Sequence, residues 1–176
     1  MKREKTGAAR EARVHRRGHR ILLGWREWVA LPGLRVPAVK AKIDTGARTS
    51  ALHAEDIRIV DHAGVTTAQF RVFPLQRTRR GALVCEAPVV DRRMVTDSGG
   101  HREERWVIRT TIRLAGDEWD TEISLTNRDA MSFRMLLGRA TLGRRFLIHP
   151  SASFLMGRSA DPGAPLTPPR HQRRRR

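Results

Sequence analysis

The chain has 176 residues, enough for one domain with its own core. Its formal net charge of +17 is uneven: residues 1–20 hold eight Lys or Arg against two acids and 158–176 hold six against one, leaving 21 basic and 15 acidic residues between them. The only cysteine, Cys85, excludes a disulfide framework and a thiolate metal site within one chain.

Residues 1–20 contain no apolar run, so neither a secretory signal nor a membrane anchor is expected, and the cytoplasm is the expected compartment. They read as a basic disordered tail. Residues 21–157 form the expected domain, with strands over Gly24–Leu31, Val39–Asp44, Ile57–Val60, Val65–Phe73, Ala82–Val90, Arg105–Leu114 and Glu118–Thr126. Alternation is clearest where Trp106, Ile108, Thr110, Ile112 and Leu114 share one face. Asp61-His62-Ala63-Gly64 and Ala115-Gly116-Asp117 read as hairpin turns, and a short helix follows Gly138 through Arg139-Ala140-Thr141-Leu142. So many short strands specify an all-β domain, a small barrel or sandwich. Cys85, within Ala82-Leu83-Val84, suits a small buried side chain. Residues 158–176, rich in proline and ending in Arg173 to Arg176, read as a second disordered tail. Such tails either add solubility or make weak electrostatic contact with RNA or a ribosome; the core lacks the aromatic-rich strand of a dedicated RNA-binding sheet.

One tetrapeptide carries chemistry. The apolar run into Ile43 places Asp44 at the end of a buried strand, Thr45 can bond neighbouring backbone, and Gly46 leaves room for a tight turn before Ala47. Asp-Thr-Gly is also ordinary turn chemistry. The functional reading is a rigid mount for one carboxylate of an aspartic peptidase. Because no internal repeat supplies a second such turn, the second carboxylate would come from another copy, with one of the pair protonated and the other ionised. Met135-Leu136-Leu137-Gly138-Arg139 is the second element, an apolar-apolar-Gly-Arg segment running into the short helix.

Together with Gly24–Pro32, Lys40–Ala54, Ser98–His101 and Thr126–Asp129, these segments resemble a bacterial and archaeal family of retropepsin-like aspartic endopeptidases, often labelled ATP-dependent zinc proteases. The resemblance covers 21–157. It implies a small closed retropepsin-like β-barrel acting as a homodimer, with Asp44 as the catalytic carboxylate in the turn Thr45, Gly46, Ala47. It also implies an association with ATP-grasp ligases that append glutamates to proteins, and hence glutamate-rich tails as substrate. The rival reading keeps the fold as a non-catalytic basic module contacting ribosome or RNA.

Retroviral peptidases place an acid just after this turn; here the residue is Arg48. Arg48, with Arg139 behind it, is expected to bind acidic substrate side chains; the alternative is that Glu55, Asp56 or Asp129 neutralises both. Asp97-Ser98-Gly99 fits the triplet pattern but sits in a charged context that reads as a loop tip. Either Arg92–Glu104 or Asp61–Thr66 is a candidate flap. No cofactor is expected: His53, His101 and Glu103 lack a zinc-binding local spacing, the alternative being that they converge in three dimensions, and no phosphate-cradling Gly-x-x-x-x-Gly-Lys loop is present, so any ATP dependence belongs to a partner.

Overall fold

The computed structural model describes residues 16–17, 20–96, 100–127 and 132–157. Asp97-Ser98-Gly99, Arg128-Asp129 and almost all of both basic ends lie outside the described residues. The strands in chain order are β1 (Arg16–Arg17), β2 (Arg20–Gly24), β3 (Arg26–Leu31), β4 (Val36–Ile43), β5 (Ser50–His53) and β6 (Glu55–His62). They continue with β7 (Val65–Val72), β8 (Leu83–Thr96), β9 (Arg102–Leu114), β10 (Asp117–Thr126), β11 (Met135–Leu137) and, after helix α1 (Arg139–Leu142), β12 (Phe146–His149).

Six strands close on themselves. The order β10-β5-β11-β4-β3-β9 returns to β10 through the antiparallel β9–β10 ladder, while β8, β7 and β6 extend outward from β9. β1, β2 and β12 make a separate small sheet. Side chains that alternate inward fill the ring: Val29, Leu31, Val39, Leu52, Ile108, Ile112, Ile123, Met135 and Leu137 are essentially unexposed. Each such side chain contributes about 1.5–3 kcal/mol through burial. Cys85 is buried as expected, which pushes its thiol up to about 11.

Both expected hairpin turns form. Ala63 and Gly64 join His62 to Val65, and Ala115 and Gly116 join Leu114 to Asp117, all four residues at positive φ, the pairing that lets a two-residue loop follow strand twist. Asp61 Oδ1 accepts the Gly64 N–H at 2.8 Å.

The expected strand Gly24–Leu31 is instead two. Trp25 leaves the ladder because its N–H goes to the Ala152 carbonyl and its own carbonyl takes the Ile43 N–H. β8 runs past Val90 to Thr96 and β9 starts at Arg102, so Arg92–Glu104 is mostly a paired hairpin arm, held by Arg92–Glu104 at 2.6 Å and by Arg92 over Trp106.

Candidate active site

β4 and β11 run parallel with Leu137 beside Ile43, so their carboxyl ends finish together and set Asp44 next to Gly138. The Asp44 N–H donates to the Leu137 carbonyl at 2.9 Å. Asp44 Oδ1 accepts the Gly46 and Ala47 N–H groups at 3.1 and 3.2 Å. Oδ2 faces Lys42 Nζ at 3.4 Å. The carboxylate is thus fixed through one oxygen while the other stays reachable, with 26% of the side chain exposed.

The turn is clamped from below. The Arg139 guanidinium donates through Nη1 to the Thr45 and Gly46 carbonyls at 2.7 and 2.9 Å, and the Arg139 and Ala140 N–H groups reach the Ala47 and Arg48 carbonyls. A Cβ on Gly138 would lie 2.6 Å from the Thr49 carbonyl carbon and oxygen, which is why two chain segments can meet here only through glycine. Gly138→Ala is expected to cost about 1–3 kcal/mol, the range for overpacking, measured by denaturant unfolding. Behind the glycine, Ser50 Oγ accepts the Gly138 N–H at 3.0 Å and bonds Thr141 Oγ1, which also meets Thr121.

Arg48 is exposed, and among the described residues no acid forms an ion pair with it. Glu55 instead pairs with His53 and Arg79, and Asp56 with Arg71. Arg139 is exposed and spends its Nη1 on the turn carbonyls, whereas Arg48 makes no such contact among the described residues.

Lys42, Ser50 and Thr141 had no role in the sequence reading. Lys42 was legible from strand period alone, since it lies two residues before Asp44. The hydroxyl chain joins residues far apart in sequence and had no local signal. His53 is fully buried against Phe73, while Glu103 accepts bonds from Thr126 and Arg105. Among the described residues no three His, Cys, Asp or Glu side chains gather to hold a metal ion. A groove of about 470 Å³ lies at the far end of β5 from the Asp44 turn, lined by Glu55, Arg79, Glu103, Arg105, Trp106 and Asn127 among others.

A closed β-ring presenting an Asp-Thr-Gly turn locked against a Leu-Gly-Arg segment defines a retropepsin-like fold. The chain belongs to the RimB-like family, described as retropepsin-like aspartic endopeptidase RimB, whose profile matches residues 22–159. It is 45% identical over 143 residues to a "Probable alpha-L-glutamate ligase" of Shewanella pealeana, covering 81% of this chain and 31% of that protein. A protein of the same name from Desulfotalea psychrophila is 43% identical over 136 residues, covering 77% and 29%. The chain therefore spans less than a third of the length of these curated relatives. Among solved structures it is similar to Lpg0085 of Legionella pneumophila, a DUF785 protein of unknown function, with TM-score 0.63 and 26% identity over 77% of this chain and 97% of that one.

Proposed function

We propose that the chain is one half of a homodimeric aspartic endopeptidase that cuts glutamate-rich protein tails. The observation that carries this reading is the Asp44 carboxylate, held by two backbone N–H groups on Oδ1 and partly exposed, with Oδ2 beside Lys42. Across a two-fold axis a second Asp44 supplies the other carboxyl of the dyad. The ionised carboxylate removes a proton from water as the water oxygen bonds to the scissile carbonyl carbon, and the protonated one donates to the carbonyl oxygen. The tetrahedral intermediate collapses as one of its hydroxyls returns a proton to the ionised carboxylate, its C–N bond breaks and the amine takes the proton of the other carboxyl, which restores the singly protonated dyad. One chain forms only half of such a cleft, so the groove at the far end of β5 is not where the reaction is placed.

Two observations support an acidic substrate. In the relatives the matching segment is about a third of proteins named for glutamate ligation, which suggests that addition and removal of glutamate act on the same tails. Arg48 places a guanidinium beside the turn. The test is incubation of wild type and Asp44→Asn with glutamate-tailed peptides, with products read by mass. Equal cleavage by both refutes the mechanism, and cleavage by neither favours the non-catalytic basic module. Arg48→Glu is expected to lower the kcat/KM preference for Glu over Gln peptides at least about tenfold, the value of one charged hydrogen bond of about 1.5 kcal/mol.

A further inference from the structure

The β3–β4 pair has two faces of opposite character. Register places Arg26 beside Lys42 and Trp28 beside Lys40 on the outward face, while Val29, Val39, Ala41 and Ile43 turn into the ring and Glu27 is buried. Strand period continues this outward row to Asp44, and the 3.4 Å contact between Lys42 Nζ and Asp44 Oδ2 shows that the side chains do meet. The face thus carries three cations, and the acid at its end is the candidate catalytic group.

Aromatic rings hold two of these cations, Arg26 and Lys40. The Arg26 guanidinium lies 4.6 Å from the Trp25 ring centre and 5.1 Å from that of Phe154; Lys40 Nζ lies 5.4 Å from Trp28 and 5.6 Å from Phe154. Trp28 and Phe154 stack on each other at 6.1 Å. The rings are occupied by cations and by one another, which leaves them poorly placed to stack nucleic-acid bases.

We propose that this face is a substrate subsite that takes an extended, α-linked acidic peptide, with Arg26, Lys40 and Lys42 pairing its carboxylates and leading the chain to Asp44. The spacing argues for it. Residues two apart on a strand repeat at about 6.6–6.8 Å, so Lys40, Lys42 and Asp44 form a row with the same repeat as the same-face glutamates of an extended peptide. A γ-linked glutamate chain has a longer backbone repeat and loses that match. The subsite rests on the proposed peptidase function and extends it from Arg48 to a second strip of cations.

The test is binding, kept separate from hydrolysis by using full-length Asp44→Asn protein and fluorescence anisotropy. The probes are a labelled α-linked glutamate decapeptide, its glutamine counterpart and its γ-linked counterpart. Lys40→Met keeps the aliphatic packing on Trp28 and Phe154 but removes the charge. It is expected to raise the Kd for the α-linked glutamate peptide at least about fivefold while the glutamine peptide is unaffected, and Lys40→Arg restores binding. Unchanged affinity in both Lys40→Met and Arg26→Met overturns the subsite. Tighter binding of polyuridylate with the same sensitivity to Lys40→Met makes the face a nucleic-acid surface and also overturns it. A changed oligomeric mass with unchanged peptide affinity assigns the face to contact between copies. Failure of wild type to cleave any peptide would defeat the peptidase reading alone, since this binding is read without cleavage.

Discussion

Replacing Asp44 by Asn is expected to lower peptide hydrolysis at least about a thousandfold, within the range attributed to a positioned general acid or base. The fold should hardly notice. Asn Oδ1 can accept the same Gly46 and Ala47 N–H groups, and the lost Lys42 contact is a partly exposed ion pair worth at most about 1 kcal/mol. Stability by denaturant unfolding should therefore stay within that margin while activity disappears, which separates chemistry from misfolding. The same substitution tests the symmetry. Where both carboxyls of a dyad are required, randomly mixing equal amounts of wild-type and Asn chains leaves about a quarter of the activity, because only dimers with two Asp44 residues work. If one Asp44 per site suffices, or if each chain acts alone, half or more remains and the shared dyad is refuted.

The legible part of this site was local. An apolar strand followed by Asp-Thr-Gly and a distant Leu-Leu-Gly-Arg could be read because each element announces itself within a few residues. The mount between them could not. β5 was missed because all four of its residues are buried between β10 and β11, which erases the alternation that marks a strand. β11, only three residues long, was recognised as a motif but not as a strand. The extension of β8 was hidden because the charged run Asp91-Arg92-Arg93 interrupts the apolar pattern, while in the structure pairing with β9 carries the strand through it. Arg139 shows the limit of an expectation about charge: its guanidinium is aimed at backbone carbonyls, which no count of acids and bases foretells.

Glu27 is the residue whose removal should cost the fold most. Its carboxylate is buried with no cation paired to it among the described residues, yet it accepts three backbone N–H groups: Oε1 takes Gly24 at 2.6 Å and Leu155 at 3.0 Å, and Oε2 takes Met156 at 3.3 Å. These bonds pin the 152–156 segment onto the β2–β3 bend, where Ala152 also bonds the Trp25 N–H and the Trp25 carbonyl takes the Ile43 N–H beside Asp44. Glu27→Ala leaves the three donors without this acceptor, at about 1–3 kcal/mol for each donor left unsatisfied, so a total loss of at least about 3 kcal/mol is expected. Glu27→Gln keeps one acceptor oxygen but points an amide N–H₂ at the Met156 N–H, so it should lose less. The pH dependence separates the two effects. Burial pushes the Glu27 carboxyl above its ordinary 4.5, against the lowering effect of its three hydrogen bonds. A raised folded-state value means that protonation favours the folded chain. That contribution is fully present below about 4.5 and is lost as pH rises through the folded value. The stability difference between wild type and Glu27→Gln, measured by urea unfolding across this window, should therefore shift against wild type as pH rises, by the part of stability that titrates with Glu27. A difference independent of pH would mean that Glu27 folds with no penalty on its charged form, and that the N–H cage fully compensates burial.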